Sequence, residues 1–217
     1  MDVLLETARR IVPPEVATLT QAGLGHVDPD LSGPVRPADL VGTGLAAADL
    51  GHPLAPAVRA AVHRAAPGAA THPLRRARPD LVVQLGVDRP AALLAAGFAR
   101  RRQPHLLLGL REGVPVVGPL VRPPAGPCLN CVDLHRADRD PDWPTLAAQL
   151  ATDTGDQPCG TATLLAAVAY ATAEALAHLD GGAPETLGCA VDVTGPGRLR
   201  RRAWPPHPSC RCAGRRP

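Results

Sequence analysis

Short apolar runs alternate with stretches of helical periodicity in the first half of the chain. Residues 1–5 form the first apolar run, residues 13–22 have a helical pattern, and a turn at residue 23 leads into a second strand that ends at Asp28. This order of strand, helix and strand is the unit from which parallel sheets are built. Two later runs, at residues 81–85 and 105–110, are almost continuously apolar, which is typical of strands buried on both faces. The pattern predicts an α/β fold, with a mostly parallel sheet and helices on both of its faces.

Residues 47–66 have a helical pattern that Pro53 and Pro56 interrupt near its start, and residues 90–102 predict another helix; each precedes one of the two buried strands. A turn at residues 111–113 leads into a further strand at residues 114–121. We expect this strand to run antiparallel to the preceding one, because a connection of this length cannot cross over the sheet.

The longest apolar stretch lies in the second half, at residues 160–179, and is rich in Ala, Leu and Val. Because it is apolar around most of its circumference but polar at both flanks, we predict a buried helix and no membrane span. Residues 133–144 are charged and are predicted as a loop, with a short helix following to about Leu150. Residues 190–193 and 199–204 predict a final hairpin.

Composition narrows the possible functions. The formal net charge of the 217 residues is only +3, and no aromatic residue interrupts the basic run from Arg198 to Arg202. We interpret this run as a solvated strand face and expect no nucleic-acid partner. The chain contains no lysine, which excludes any mechanism that depends on a catalytic lysine. Because the first residues do not resemble a signal peptide, we expect a soluble, cytoplasmic protein with no membrane partner.

Two close pairs of cysteines provide the most specific chemical signal. Cys128 and Cys131 form a C-x-x-C pair, and Cys210 and Cys212 form a C-x-C pair. Four thiolates of this kind bind structural zinc in a tetrahedral site with no open position. Free thiols and disulfides are the alternatives, and a reducing cytoplasm disfavours disulfides. The sequence predicts a structural Zn²⁺ that staples two distant segments and performs no chemistry itself.

The chain is predicted to form one domain over residues 1–217, a length sufficient for a substantial core. Residues 1–121 would form the main part of the sheet. Residues 122–217 would form a zinc-stapled C-terminal subdomain with the crossing helix and the hairpin. No stretch of the sequence is long enough to act as a linker between separate domains.

Several short motifs, in their order along the chain, resemble the ThiF/MoeB superfamily, to which the ubiquitin-activating enzymes belong. The motifs are Ala22-Gly-Leu-Gly-His-Val-Asp28, Asp80-Leu-Val-Val-Gln-Leu-Gly-Val-Asp88, Gly126-Pro-Cys-Leu-Asn-Cys131, Ala173-Glu-Ala175 and Pro208-Ser-Cys-Arg-Cys212. Each motif is weak alone, but together they cover nearly the whole chain. The resemblance implies a Rossmann-like sheet and a homodimer. It also implies, for the enzymes of the family, adenylation of a C-terminal carboxylate by ATP.

A narrower resemblance rests on Cys131-Val-Asp-Leu-His135, Trp143-Pro144 and Trp204-Pro-Pro-His207. These residues resemble an actinobacterial branch of ThiF-like cyclodehydratase partner proteins, which work with YcaO enzymes in the biosynthesis of modified ribosomal peptides (RiPPs). The resemblance implies a peptide or protein partner, such as a YcaO-type enzyme. Members of this branch often carry an N-terminal leader-peptide-binding domain, which we do not expect within these 217 residues.

The family's nucleotide-binding turn is degenerate in this sequence. The window that corresponds to G-x-G-x-x-G is Thr7-Ala-Arg-Arg-Ile-Val12, which contains no glycine. Pro13 and Pro14 remove two N–H donors from the helix start that would bind phosphate. The resemblance places a phosphate-contacting lysine at Leu54, and Arg59 lies about one helical turn further on. We therefore expect neither ATP nor Mg²⁺ as a cofactor.

Three polar residues persist where the resemblance implies nucleotide contacts. Asp28 ends the second strand, where a ribose-binding acid belongs. Arg36 matches an arginine of the following loop, and Asp88 matches a metal- or phosphate-associated aspartate. We interpret the three as a remnant nucleotide site. An ordinary surface carboxylate at a strand end is the alternative for Asp28 and Asp88.

No residue is assigned a catalytic role. Cys159 precedes the long helix, where some ubiquitin-activating relatives have a thioester cysteine. Since no activating residue is evident beside it, we prefer to interpret Cys159 as a small buried apolar residue. Four histidines lack the spacing of a catalytic triad and are interpreted as structural or surface residues: His26, His105, His178 and His207.

The leading hypothesis is a degenerate ThiF-type protein, a pseudo-adenylyltransferase that serves as a binding or scaffold partner in peptide modification. The first alternative is an active ATP-dependent adenylyltransferase of a peptide or carrier-protein C-terminus. A structural paralogue without a peptide partner is the second alternative. ATP binding distinguishes the leading hypothesis from the first alternative.

Overall fold

The computed structural model describes residues 1–6, 12–29, 31–40, 43–74, 78–86, 91–152 and 158–212. Within these ranges the regular elements are seven strands and six α-helices. The strands are β1 (Asp2–Glu6), β2 (His26–Pro29), β3 (Leu81–Leu85), β4 (His105–Arg111), β5 (Val114–Val121), β6 (Cys189–Gly195) and β7 (Arg198–Ala203). The helices are α1 (Val12–Gln21), α2 (Leu54–Ala65), α3 (Ala91–Arg101), α4 (Leu129–Ala137), α5 (Trp143–Thr152) and α6 (Thr161–Leu179).

The strands form one mixed sheet in the order β2-β1-β3-β4-β5-β6-β7. The first four in this order are parallel, and β5, β6 and β7 continue the sheet by antiparallel pairing. Because β6 runs in the same direction as β4, most strands point the same way, which confirms the predicted α/β class and mostly parallel sheet.

The turn between β4 and β5 explains why β5 is antiparallel, as predicted. Glu112 and Gly113 connect the strands with φ angles of 52° and 77°, the left-handed conformations that tight hairpin turns require. A Cβ on Gly113 would lie 2.7 Å from the carbonyl oxygen of Pro158. The turn is therefore packed tightly against the segment that leads into α6.

Alternate residues of β3 define the two faces of the sheet. Leu81, Val83 and Leu85 pack into a core formed with α1, α2 and α6. Val82 points the other way, into a second cluster formed with α3, α4 and the cysteines. The prediction of helices on both faces is confirmed.

The long helix α6 packs one face against α1 and the sheet. Among the described helices, it alone is long and apolar enough to cross a membrane, and 39% of its most apolar 18-residue window is buried. Its contacts with the sheet account for this composition, since a helix in the core of a soluble protein can be equally long and apolar. The helix was correctly predicted, but it is buried on one face only, and Leu165 on the other side is exposed.

One prediction of secondary structure was wrong. Residues 133–144, predicted as a loop, include the last residues of α4 and the first of α5. Leu129 and Val132 of α4 are buried, and this apolar face outweighs the charged residues on the rest of the helix.

The helical pattern predicted at residues 47–66 is interrupted near its start, as expected. A 3-10 turn at Ala47–Asp49 is separated by Gly51, which has a φ of 80°, from α2, whose N-cap is Pro53.

Candidate metal centre and candidate ligand cavity

The four predicted cysteine ligands converge. Cys128 is the N-cap of α4 and Cys131 lies in its first turn, whereas Cys210 and Cys212 follow β7. The Sγ atoms of Cys128 and Cys131 are 3.8 Å apart, those of Cys128 and Cys210 are 3.6 Å apart, and those of Cys131 and Cys212 are 3.1 Å apart. All four sulfur atoms lie within 4.8 Å of one another.

This arrangement fits a tetrahedral metal ion. Zn–S bonds of 2.3 Å in a regular tetrahedron separate the sulfur atoms by about 3.8 Å, close to two of the three distances. The side-chain amide of Asn130 donates to the Cys210 Sγ at 3.2 Å, an outer contact of the kind that supports metal-bound thiolates. The four cysteines can therefore hold a metal ion such as zinc.

The pKa values of the thiols also bear on metal binding. Burial raises the pKa of Cys128 to about 12 and also raises the pKa of Cys212. Burial would raise the pKa of Cys210 too, but hydrogen bonds from Asn130 and Cys212 lower it to about 7. The raised pKa values of Cys128 and Cys212 disfavour their thiolates, and a bound cation would favour these thiolates.

A second cluster, formed by His135, Asp138 and His207, lies beside the cysteines, with ligand atoms within 4.8 Å of one another. The backbone N–H of Ser209 donates to Nδ1 of His207 at 3.1 Å, so a neutral ring carries its proton on Nε2. That nitrogen lies 2.8 Å from the Asp138 carboxylate and donates to it. His135 contacts the carbonyl oxygen of Pro205 through Nε2. The cluster joins the end of α4 to the segment that carries Cys210.

Two of the three predicted nucleotide residues, Asp28 and Arg36, lie in the described part of the chain. Asp28 is buried at the end of β2, and its carboxylate accepts a hydrogen bond from the backbone of Leu74 at 2.7 Å. Arg36 is exposed, and its backbone N–H donates to Asp39. Asp88 lies outside the described residues.

The position that the resemblance assigns to a phosphate-contacting lysine is part of the core. Leu54 is fully buried at the start of α2, and Arg59 faces solvent. Pro13 and Pro14 occupy the first turn of α1, as predicted. Thr7 and Arg9 lie outside the described residues. The next residue of that turn, Glu15, is a fully buried carboxyl group that sequence reasoning missed.

The remaining cysteine and histidine candidates pack against the core or form hydrogen bonds within the protein. Cys159 is half-buried and packs against the main core. His26 and His105 are buried and contact backbone carbonyl oxygens of His72 and Gln103. Nδ1 of His178 accepts a hydrogen bond from Arg122.

A cavity of about 790 Å³ lies between the β4–β5 hairpin, α4 and α5. Its wall is mostly apolar and reaches from Gly86, at the end of β3, to Trp204, just after β7. Four charged residues line it, namely Arg111, Glu112, Asp133 and Arg136, so positive and negative formal charges are equal in number. Sequence reasoning missed this cavity, since α4 was predicted as a loop; the spacing of Asp133 and Arg136, one helical turn apart, was the available signal.

Comparisons with known proteins support the fold alone. No protein-family model matches the chain, and no curated protein matches it. Among solved structures, the chain is similar to E. coli MccB crystallised with ATP, at 15% identity and a TM-score of 0.74 over 97% of this chain and 66% of MccB. It is similar to the microcin C7 biosynthetic enzyme MccB in complex with N-formylated MccA, at 14% identity and a TM-score of 0.76 over 98% of this chain and 67% of that one.

A third similar structure is PaaA, at 12% identity and a TM-score of 0.70, over 93% of this chain and 72% of PaaA. In several of these alignments the chain spans slightly less than two thirds of MccB. The similarity agrees, at the level of the fold, with the resemblance to the ThiF superfamily that was predicted from the motifs.

Proposed function

We propose that this chain is a ThiF-type protein that binds a peptide or protein partner in peptide modification and does not adenylate it. A YcaO-type cyclodehydratase is the partner that the narrower sequence resemblance favours. The fold is that of MccB, a peptide-associated enzyme whose crystal structure with N-formylated MccA gives the relevant precedent. The proposal is therefore a binding or scaffold role on a fold that elsewhere carries out chemistry.

The observation that carries the proposal is the loss of phosphate-binding groups around α1 and α2. Leu54 is fully buried in the core, so the position of the family's lysine can no longer contact a phosphate. Pro13 and Pro14 remove N–H donors from the first turn of α1, the end of a helix that binds anions. Asp28 is engaged by the backbone of Leu74.

We also propose that the four cysteines hold a structural Zn²⁺, and that residues 1–217 form one domain. Pairing of β5 with β6 runs the sheet from the N-terminal part into the C-terminal part. A zinc ion on the four sulfur atoms would then tie the start of α4 to the segment after β7. Reduced thiolates of this kind agree with a cytoplasmic location.

The alternative function, adenylation of a C-terminal carboxylate, is favoured by one observation. MccB, which has this fold, has been crystallised with ATP. The sequence window Thr7-Ala-Arg-Arg-Ile-Val12, which contains no glycine, would have to bind the phosphates.

Calorimetric titration with MgATP tests the proposal, followed by pyrophosphate exchange with candidate peptides. Each lost charge-assisted contact costs about 1.5–3 kcal/mol, and every 1.4 kcal/mol weakens binding about tenfold. We therefore expect no micromolar binding and no exchange above background. E. coli MccB, titrated in parallel, is the positive control. Micromolar ATP affinity together with exchange would establish the alternative.

A further inference from the structure

We infer that the outer edge of β7 pairs with an extended, acidic segment of a partner protein, which adds a strand to the seven-stranded sheet and places carboxylates opposite Arg198 and Arg200. The inference rests on the proposed function in one respect, that the chain has a partner, and it names the surface and the chemistry by which that partner binds. It concerns binding only, so no covalent bond is made or broken.

The two edges of the sheet differ. At one edge, β2 has four residues, all of them buried, and ends at Pro29; the N–H of Val27 donates to the carbonyl oxygen of Ala70 at 3.0 Å. At the other edge, β7 has six residues, of which five are exposed and one is half-buried. It contains no proline, and its pairing with β6 is regular from Leu199 to Ala203. The β7 edge is therefore open to a further strand, whereas the β2 edge is covered.

The register of β6 and β7 determines which backbone groups of β7 point outward. The N–H of Trp204 donates to the carbonyl oxygen of Gly188 at 3.0 Å. In an antiparallel pair, residues that are bonded to the neighbouring strand alternate with residues that are not. Counting back from Trp204, the N–H and C=O groups of Leu199, Arg201 and Ala203 point away from β6. Within the described part of the chain these groups form no hydrogen bond, so they are available to another backbone.

Two of the four arginines of β7 are held by the protein itself. Arg202 forms an ion pair with the buried carboxylate of Asp192. Arg201 donates a hydrogen bond to the backbone carbonyl oxygen of Glu185 at 2.7 Å, and the charge of Glu185 also acts on it. The carboxylates of Asp192 and Glu185 therefore offset the charges of Arg202 and Arg201.

The other two arginines, Arg198 and Arg200, lie at alternate positions and so project from the same face of β7. Both are exposed, and no described residue accepts a hydrogen bond from either guanidinium or forms an ion pair with it. Arg200 is paired with Asp192 in the register of the sheet, but that carboxylate is already shared by Arg202 and Arg111. The open edge therefore carries two positive charges that the described chain does not offset.

An added strand would bring its side chains next to those of Arg198 and Arg200. These two residues occupy the positions that are not hydrogen-bonded to the added strand, where side chains of neighbouring strands are closest. Acidic residues two apart in the added strand would each face one guanidinium, and opposite charges directly across a sheet stabilise the pairing. The expected segment has the pattern acid, β-branched residue, acid, because β-branched residues favour strands.

A second copy of β7 does not fit this edge. Antiparallel pairing about a two-fold axis would have to match the outward backbone groups of Leu199, Arg201 and Ala203 with one another. Each such register sets arginine against arginine, and like charges directly opposite each other destabilise a sheet. The arginines thus disfavour self-pairing and favour an acidic partner at the same time.

Four peptides without a terminal carboxylate test backbone pairing and charge separately. The parent peptide is Thr-Glu-Val-Glu-Thr, blocked at its N-terminus by an uncharged fluorophore and at its C-terminus by an amide. The second peptide has glutamine in place of both glutamates. The third is N-methylated at the valine, whose N–H would face β7, and the fourth at the second glutamate, whose N–H would face away. Fluorescence anisotropy measures the dissociation constant of each.

We expect the glutamate peptide to bind at least about fivefold more tightly than the glutamine peptide at low ionic strength, the factor that two cross-strand ion pairs supply. Added salt should reduce this preference. N-methylation of the valine should weaken binding about tenfold, because it removes a backbone hydrogen bond, whereas N-methylation of the glutamate should weaken it less than about threefold. Equal affinities of the glutamate and glutamine peptides, or no binding of either, would overturn the inference. Equal effects of the two N-methyl groups would overturn it as well, because charge alone would then hold the peptide.

Matched variants assign the preference to the two unpaired guanidinium groups. The double variant Arg198→Gln/Arg200→Gln is expected to reduce the preference for glutamate over glutamine to about twofold or less. Arg100→Gln/Arg139→Gln removes the same charge from two exposed arginines outside β7 and should keep the full preference. Circular dichroism and metal content check that both double variants are folded. A preference that survives in Arg198→Gln/Arg200→Gln contradicts the inference.

A short oligothymidylate separates an acidic protein segment from a nucleic acid. If it binds more tightly than the glutamate peptide and loses its affinity in Arg198→Gln/Arg200→Gln, the edge is a nucleic-acid surface and the inference is wrong. The nucleotide titration is independent of these measurements. ATP binding with pyrophosphate exchange would remove the proposed non-adenylating role, yet leave the preference of β7 for the glutamate peptide as measured.

Discussion

At the residue scale, the first turn of α1 contains a carboxyl group with almost no compensation. Glu15 is fully buried, and its only described hydrogen bond is from the Thr172 hydroxyl, at 3.4 Å. Its other carboxyl oxygen has no partner among the described residues. Burial raises the pKa of Glu15 from 4.5 to about 8, so at neutral pH the group is mainly the neutral acid. A neutral acid beside Pro14 adds nothing that would bind phosphate.

Glu15 makes the stability of the protein pH-dependent. Between pH 4.5 and about pH 8 the unfolded chain has lost a proton that the native state keeps, so the free energy of unfolding falls as the pH rises. Glu15→Gln removes this loss, because the amide cannot ionise. We expect the variant to gain on the order of 3–5 kcal/mol relative to wild type between pH 4.5 and pH 8, measured by urea denaturation.

The difference in stability between wild type and Glu15→Gln reports on Glu15 alone, because the other buried titrating groups are the same in both proteins. Burial lowers the pKa of His105 to about 4, and its titration changes stability in the opposite direction below pH 6.5, equally in both proteins. Glu112→Gln, the matched substitution at an exposed turn, should keep the fall in stability that Glu15 causes between pH 4.5 and about pH 8. An unchanged slope in Glu15→Gln would show that the carboxyl group is not buried in this way.

At the element scale, α4 joins the two candidate sites. Its N-terminus carries Cys128 and Cys131, and its next turn directs Asp133 and Arg136 to the cavity. The position of the helix along the sheet therefore fixes both sites together. Loss of a metal ion from the four cysteines should therefore also make the cavity wall formed by α4 less ordered.

The zinc proposal gives a direct prediction. Purified, metal-replete protein should contain about one zinc per chain, and Cys210→Ser should lower both the zinc content and the free energy of unfolding. At free zinc 100-fold above the dissociation constant, complete loss of binding costs about 2.7 kcal/mol. Metal analysis and chemical denaturation measure the two quantities.

The matched control is Cys159→Ser, which changes a half-buried cysteine outside the cluster. It should retain its zinc and lose no stability through the metal. Zinc near zero in wild type would contradict the proposal, and so would equal zinc content in Cys210→Ser and wild type.

The sequence predicted the structure best where the pattern lay within a few neighbouring residues. The continuous apolar residues of β3 and the two-residue turn after β4 predicted strands and direction correctly, and the C-x-x-C spacing identified half of the sulfur cluster. α4 was missed because its charged residues dominate the local pattern. Only the tertiary structure reveals its buried residues, since Leu129 packs in the cluster with α3, whereas Val132 packs in the cluster with Val116 and Trp204.

The cavity could not be predicted for a related reason. Arg111 and Arg136, which line it, come from β4 and α4, and neither lies in a recognisable motif. Their approach depends on how α4 packs against the rest of the fold, which no local pattern encodes. Asp28, by contrast, was placed correctly at a strand end, although its partner, the backbone of Leu74, is far away in sequence.

At the scale of the whole molecule, exposed apolar side chains bear on association. Leu93 and Leu199, on α3 and β7, are 64% and 54% exposed. An interface of standard size covers about 800 Å² on each partner, and exposed leucines of this kind can contribute to it.

We therefore expect a homodimer, as the superfamily resemblance also implies. A two-fold dimer uses the same patch on both subunits, so a single set of exposed leucines suffices for the interface. Light scattering coupled to size exclusion should give a mass near twice 22.5 kDa at micromolar concentration, and sedimentation velocity over a dilution series should show the dimer dissociating. Scattering reports mass independently of shape, so an extended monomer cannot imitate the result. A mass of 22.5 kDa at every concentration would contradict the homodimer.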